Sequence, residues 1–378
     1  MELYIHIPFC KSKCCYCDFA SWADQEQRIP AYVDAVLAEA AMRPCDEEVD
    51  TVFLGGGTPS ILPAEQLERL LTGIRSRYQV RADAEFTSEA NPGTLTEAWL
   101  DAASAGGVNR ISLGMQAAQP ELLRKLGRIH TFAQVESSVE MCRRRGITNL
   151  NLDLMFGLPG QTEAEWLETL QAALALHPTH LSCYGLIPEE GTFLWEKLNS
   201  GAWHLPDEDE ERAMYDQAIR RLGEHGFAQY EISNFALPGY ECRHNIGYWR
   251  QEPYIGLGAS AASMRVTGRH PFACERTTNP RGIPAYLNMI SSGTITPAER
   301  EAVAGVDARF ETIMLGLRMT EGVPERLFQQ LHGAAIGEIY GNLPDRLQAR
   351  GLLEHRDGYW RLTRRGMDIQ NSILVEFL

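Results

Sequence analysis

Four of the chain's nine cysteines, Cys10, Cys14, Cys15 and Cys17, fall within eight residues. Three of them have ligand spacing: Cys10-x3-Cys14-x2-Cys17 puts three thiolates in one short loop. A cubane iron–sulfur cluster usually takes four cysteine ligands. Three leave one iron with an open position, which a site that binds a substrate directly needs, by the logic that separates catalytic from structural zinc. Zinc is the competing metal, but a tetrahedral zinc site normally draws on a second cysteine pair tens of residues on. No such pair follows. An odd number of cysteines in 378 residues, with neither a basic region nor a long apolar stretch at Met1–Pro8, does not read as a disulfide framework in an exported protein. A metal site in a reducing compartment fits better.

The elements that must position this loop follow from periodicity. Short β-type runs at Leu3–Ile7, Thr51–Leu54, Ala84–Glu89, Arg110–Met115, Asn149–Phe156 and His180–Tyr184 alternate with helix-like segments at Ile29–Met42, Pro63–Tyr78, Thr96–Ala105, Phe132–Arg145 and Glu163–Leu176. Apolar residues recur at helical spacing in the latter, as with Tyr32, Val33, Val36 and Leu37. Such alternation implies parallel βαβ units with right-handed crossovers. The unusual residues sit at or near the carboxyl ends of these strands. The cysteines follow the first strand, Gly55-Gly56-Gly57-Thr58-Pro59 the second, Glu89-Ala90-Asn91-Pro92-Gly93 the third and Gly114-Met115-Gln116 the fourth, with Asp153 and Gly157-Leu158-Pro159-Gly160 at the fifth. Functional loops of a (β/α) barrel gather at that end. The expected fold is therefore α/β, a partial (β/α)6 barrel opening on one site.

Past residue 190 the pattern changes. Asp207-Glu208-Asp209-Glu210-Glu211 opens a helix pattern reaching about Leu222, an acidic first turn favoured by the macrodipole. Residues 253–284, rich in Gly, Ala and Pro, read as loop with short strands. From about Asp307 three helices are expected, at Ala308–Arg318, Glu325–Leu331 and Ile336–Gln348. A hairpin over Leu352–Thr363 then turns at Asp357-Gly358. Helices followed by a hairpin predict a C-terminal winged-helix-like α+β domain. No run approaches the roughly 20 apolar residues of a membrane span. With 35 basic against 50 acidic side chains the net charge is −15, which argues against nucleic acid as a partner.

The three-cysteine loop, with Tyr16 as the aromatic before its last cysteine, resembles that of the radical S-adenosyl-L-methionine (SAM) enzymes. That resemblance implies a [4Fe–4S] cluster on Cys10, Cys14 and Cys17, SAM on the open iron, and the glycine run approaching the methionine amine. Ile7-Pro8-Phe9-Cys10, Gly55-Gly56-Gly57-Thr58-Pro59, Gly114-Met115-Gln116, Leu126-Gly127-Arg128 and Asp153-Leu154-Met155-Phe156-Gly157-Leu158-Pro159 narrow it. They are similar to the branch holding oxygen-independent coproporphyrinogen III oxidase and the HemW-type heme chaperones. The resemblance implies SAM contacts at Tyr4, Gly56, Gly57, Thr58, Glu89, Gln116, Arg128 and Asp153 and at the backbone near Ile187. Glu89 and Asp153 can accept from ribose hydroxyls or an amine, and Arg128 can pair a carboxylate bidentately.

Two departures separate the branch members. The oxidase has a fourth cysteine two residues after the third, where this chain has Phe19, and a substantial stretch before its cluster, whereas here the first ligand is residue 10. Both point away from oxidase activity. Cys15 is not expected to ligate. His244-Asn245-Ile246-Gly247-Tyr248-Trp249, preceded by Cys242-Arg243, resembles the HNxxYW signature of the chaperones. Heme contact is thus expected at His244, Tyr248 and Trp249, with His244 or Cys242 as axial ligand. The expected organisation is a radical SAM core over residues 1–190, an extension carrying the signature over 191–300 and the winged-helix-like domain over 301–378. The resemblance further implies a heme donor, a heme-accepting respiratory protein and a homodimer. The expected location is the cytoplasm, at the inner face of the membrane only through a protein partner.

Overall fold

The computed structural model describes all 378 residues, Met1–Leu378. Six parallel strands run in chain order: β1 (Glu2–Ile7), β2 (Val49–Gly56), β3 (Val80–Ala90), β4 (Arg110–Gln116), β5 (Asn149–Phe156) and β6 (His180–Gly185). Helices Ile29–Met42, Ala64–Arg77, Glu97–Ala105, Phe132–Arg144 and Glu163–Ala175 connect them. Every residue of β4 is buried, as befits a parallel strand covered on both faces. Capping boxes fix three helix starts, with Thr131 and Gln134, Thr162 and Glu165, and Asp207 and Glu210 satisfying each other's free backbone donors. The last of these opens Glu208–Glu224, the helix expected from the acidic run.

The sheet does not stop at six strands. Tyr254–Leu257 adds parallel to β1, and Ala262–Arg269, Phe272–Thr278 and Glu299–Val303 continue antiparallel beyond it. On the other side Asn234–Ala236 and Ala228–Gln229 extend β6. The two outer edges do not pair, so the barrel is incomplete. Residues 253–284, expected as loop with short strands, instead hold strands of eight and seven residues. Their sequences alternate in burial, Val266 packing inward while Arg265 faces solvent, so they behave as strands with one buried face despite their small residues.

A second core of 14 buried residues, among them Ile313, Phe328, Leu347, Trp360 and Ile373, lies apart from the 53-residue core of the barrel. Around it pack helices Gly305–Gly316 and Glu325–His332 and the hairpin Leu353–Arg356 with Tyr359–Leu362. Asp357 and Gly358 take positive φ (54° and 81°), as a two-residue hairpin turn requires. The single helix expected over Ile336–Gln348 is two, Ile336–Tyr340 and Leu343–Ala349. Gly341 breaks it at φ +60°, and Pro344 is accommodated only because it falls in a new first turn.

Candidate functional site

The loop after β1 is tied back on itself. Phe9–Cys10 pairs in parallel with Trp22–Ala23, and the Trp22 N–H donates to the Pro8 carbonyl at 2.8 Å. Within the loop, Cys15 is held outward. Its N–H donates to the Leu126 carbonyl, its carbonyl accepts from Leu194, and its thiol donates to the Lys125 carbonyl at 2.9 Å. Cys10, Cys14 and Cys17 instead line one cavity of about 360 Å³, and Cys15 does not. Burial pushes the Cys10 and Cys17 thiols up in the metal-free protein.

The same cavity takes Tyr16 from this loop, Gly56, Gly57 and Thr58 from the end of β2, and Glu89 from β3. Gln116, Arg128 and Asp153 close it. A chain of hydrogen bonds joins two of the thiols through protein. Arg128 Nη1 donates to Cys14 Sγ (3.4 Å), and its Nη2 to Asn91 Oδ1 (2.6 Å) and the Gly114 carbonyl (2.7 Å). Asn91 Nδ2 donates to Thr58 Oγ1 (3.0 Å), and Thr58 Oγ1 to Cys10 Sγ (3.6 Å). Donors aimed at thiolate sulfurs stabilise their charge and tune whatever metal they hold. Three thiols on one cavity, two of them backed by donors, fit a cubane cluster with one iron left open.

The glycine run has a second task besides facing the cavity. A Cβ on Gly57 would sit 2.7 Å from the carbonyl oxygens of both Ile7 and Phe9, so that residue keeps β2 against the backbone that leads into the cysteine loop. Gly56 has φ +106° and gives its N–H to Glu89 Oε2 at 3.0 Å. Burial, reinforced by neighbouring Asp153, pushes the Glu89 carboxyl up to about 8. Asp153 is raised by burial too, although Ser112 Oγ and Asn151 Nδ2 each donate to it at 2.8 Å. Gln116 holds φ +64°, a left-handed conformation costly for a residue with a side chain, at the point where β4 enters the site.

Not every expected residue converges here. Tyr4 lies on a neighbouring cavity of about 780 Å³, which shares Phe19, Gly56 and Glu89 with the first. Ile187, 71% exposed, borders a third cavity of about 660 Å³. Arg128, expected to be free for a carboxylate, has both arms of its fork engaged within the protein. Asn91, Ser112 and Tyr184, not singled out from sequence, line the cysteine cavity. For Asn91 the signal was its place in the Glu89–Gly93 segment that ends β3, and for Tyr184 its place at the carboxyl end of the sixth strand; Ser112, inside β4, had none.

The signature segment folds as a short helix, Arg243–Trp249, whose first N–H groups (Arg243 and His244) donate to the two carboxylate oxygens of Glu85 at 2.9 and 3.2 Å. His244 is only 1% exposed. Its Nδ1 meets Thr51 Oγ1 at 2.7 Å, its Nε2 meets the Tyr248 hydroxyl at 2.9 Å, and its ring stacks on Phe53. Burial, with help from Arg110, depresses its pKa to about 3, so it is neutral. Cys242 is equally enclosed, its thiol against Glu85. Neither offers a free donor atom to a cavity. Tyr248 and Trp249 do line the second cavity, with Tyr254, Met264 and Met314.

Comparison with known proteins bears on this arrangement. The family model of the radical SAM superfamily matches residues 4–173, and that of the HemN C-terminal domain matches 305–369. The heme chaperone HemW of Bacillus subtilis (strain 168) is 35% identical over 99% of this chain and 98% of its own length. The heme chaperone HemW of Escherichia coli (strain K12) is 37% identical over 100% and 98%. The chain belongs to the HemW family. Its fold is that of the radical SAM proteins. The solved coproporphyrinogen III oxidase (HemN) from Escherichia coli superposes with a TM-score of 0.84 at 23% identity, covering 100% of this chain and 89% of that one. In this chain the HNxxYW segment stands between the second and third cavities, with Tyr248 and Trp249 lining both.

Proposed function

We propose that this chain is a heme carrier, taking heme from a donor and delivering it to a heme-requiring acceptor such as a respiratory membrane complex. Cys10, Cys14 and Cys17 would hold a [4Fe–4S] cluster, with SAM in the same cavity beside Gly56, Gly57, Thr58, Glu89, Gln116, Arg128 and Asp153. The bound cluster supplies electrons and an open iron for the methionine end of SAM. The protein's own part is to bind and orient. Glu89 meets a cation at one end, Asp153, held by Ser112 and Asn151, accepts from hydroxyls at the other, and Arg128 steadies Cys14.

The observation that carries this reading is the junction of two cavities, one with three thiols and one walled by Tyr248 and Trp249 of the signature helix, sharing Phe19, Gly56 and Glu89. The larger, at about 780 Å³, is within the range of pockets that enclose a ligand of porphyrin size. Phe19 stands where the oxidase has a further cysteine, which favours carriage of heme over decarboxylation of a porphyrinogen. Cluster and SAM would then support handover or a homodimer. No helix is long and apolar enough to cross a membrane, and a net charge of −15 opposes adhesion to anionic lipid. A cytoplasmic chain would reach a membrane acceptor through protein contacts. Nucleic acid has no part in this reading.

Two measurements on the reconstituted protein test it. Hemin titration should give a saturable, shifted Soret band. Anaerobic incubation with coproporphyrinogen III, SAM and a reductant should yield no protoporphyrinogen. Robust turnover would replace the carrier reading with the oxidase reaction.

A further inference from the structure

If heme occupies the second cavity, as the preceding reading requires, its iron needs a ligand from the cavity wall. The signature histidine does not supply one. Both nitrogens of His244 are occupied and the ring is sealed between Phe53 and Tyr248. His6 borders the cavity, but its Nδ1 meets the Tyr4 hydroxyl at 2.9 Å and its Nε2 the Ala20 carbonyl at 2.8 Å. A carbonyl only accepts, so Nε2 carries the proton, Nδ1 accepts from Tyr4, and neither nitrogen is left for a metal. Trp249 offers only an N–H donor. The Met264 and Met314 thioethers are soft ligands that suit reduced rather than ferric iron.

We propose that Tyr248 is the axial ligand of ferric heme in the second cavity, and that His244 is a positioning residue that holds its phenolate oxygen. Tyr248 is the residue of the signature helix that lines this cavity and whose hydroxyl reaches His244. In the tautomer where the Thr51 hydroxyl donates to Nδ1, His244 Nε2–H donates to the Tyr248 oxygen. Burial, reinforced by Glu2, holds the phenol's own proton tightly, so that proton leaves only as the iron–oxygen bond forms. Tyrosine is an established heme ligand type, and a hydrogen-bonded partner behind a ligand fixes its orientation. Hydroxide-ligated ferric heme then binds by simple exchange. The iron–hydroxide bond breaks, the iron–phenolate bond forms, the phenolic proton joins the hydroxide, and water leaves. The iron stays ferric and no electron moves. Trp249 and Tyr254 give the macrocycle flat apolar contact. Arg281 at the cavity's edge, tied only to exposed Asp18, can turn to a propionate at little cost.

The test is resonance Raman and absorption spectroscopy of the ferric hemin complex of the full chain. Wild-type protein should show tyrosinate ring modes and a phenolate-to-iron charge-transfer band. Tyr248→Phe, which removes one oxygen, should lose both, and Tyr248→His should replace them with an imidazole-type spectrum. His244→Ala should weaken hemin binding roughly 10- to 100-fold, as removal of an outer partner does, while the tyrosinate modes remain. Hemin bound without tyrosinate modes, modes that survive Tyr248→Phe, or an imidazole signature lost in His244→Ala would each overturn the assignment. Survival would move the ligand to Tyr254 or Tyr4. Wild-type protein that binds no hemin at all would instead sink the carrier reading itself.

Discussion

Replacing Glu89 by glutamine measures how strongly the cysteine cavity holds a carboxyl against its charge. Folding moves Glu89 from the ordinary 4.5 to about 8, through burial first and the Asp153 carboxylate second. A carboxyl raised on folding binds more protons folded than unfolded. Wild-type stability therefore carries no penalty below about pH 4.5, falls as pH rises, and has paid in full by about pH 8. Each unit between the two values costs about 1.4 kcal/mol, or roughly 3 kcal/mol by neutral pH. Glutamine keeps an acceptor for the Gly56 N–H, which lies 3.0 Å from the carboxylate, but does not titrate. Asp153, raised in the same direction, titrates in both proteins and largely drops out of the difference.

The assay is urea unfolding of the reduced, cluster-free protein, wild type and Glu89→Gln, at steps from about pH 5 to about pH 8. The variant should gain on wild type as pH rises, by up to about 1.4 kcal/mol per unit. Parallel stability curves would refute the argument, because they would mean Glu89 ionises in the folded protein as it does in the unfolded chain. A cation placed against Glu89, as bound SAM would place one in the proposed function, reverses the cost. SAM binding should then tighten towards about pH 8 and expel a proton, visible as a buffer-dependent heat in calorimetry.

Four further outcomes follow from the same geometry. Gly57→Ala forces a Cβ to within 2.7 Å of the Ile7 and Phe9 carbonyls, so it should cost about 2 kcal/mol on unfolding and lower cluster iron and sulfide after reconstitution. Cys15→Ala should leave iron and sulfide unchanged, whereas replacing Cys10, Cys14 and Cys17 together should abolish them. Asn91→Ala cuts the chain from Arg128 to Thr58 and loosens the donors at Cys14 and Cys10; the cluster should still assemble, with a more negative potential in a redox titration. Reducing bound hemin should speed its transfer to apomyoglobin, because a phenolate suits ferric better than ferrous iron.

Much of the barrel was legible because parallel βαβ units declare themselves locally. The apolar spacing of Ile29–Met42 and the polar–apolar alternation of Asn149–Phe156 each fall at the observed bounds. The break at Gly341 was less visible, since the helical pattern continues on both sides of it and only φ +60° shows the turn. The hairpin at Ala262–Thr278 was hidden by composition. Its strands bury one face only, so small and polar residues there do not dilute the pattern as they would in β4. At the site, strand-end position located Cys10, Gly56, Glu89, Gln116 and Asp153 together, because a barrel brings carboxyl ends to one rim whatever the side chains are.

What position along a strand does not fix is which way a side chain turns. Tyr4 sits three residues before the end of β1, yet its hydroxyl goes to His6 and the residue borders the other cavity. The signature histidine shows the same gap more sharply. A histidine beside tyrosine and tryptophan reads as a ligand, and only tertiary partners remote in sequence, Thr51 and Phe53 from β2, enclose it. Those partners turn the reading of the motif around. With His244 neutral and sealed behind Tyr248, losing the histidine and losing the tyrosine oxygen both damage one contact, but by different routes. The first leaves a ligand poorly held, and the second leaves no ligand. A binding assay alone would score the two variants alike, and only the ligand's own vibrational signature separates them.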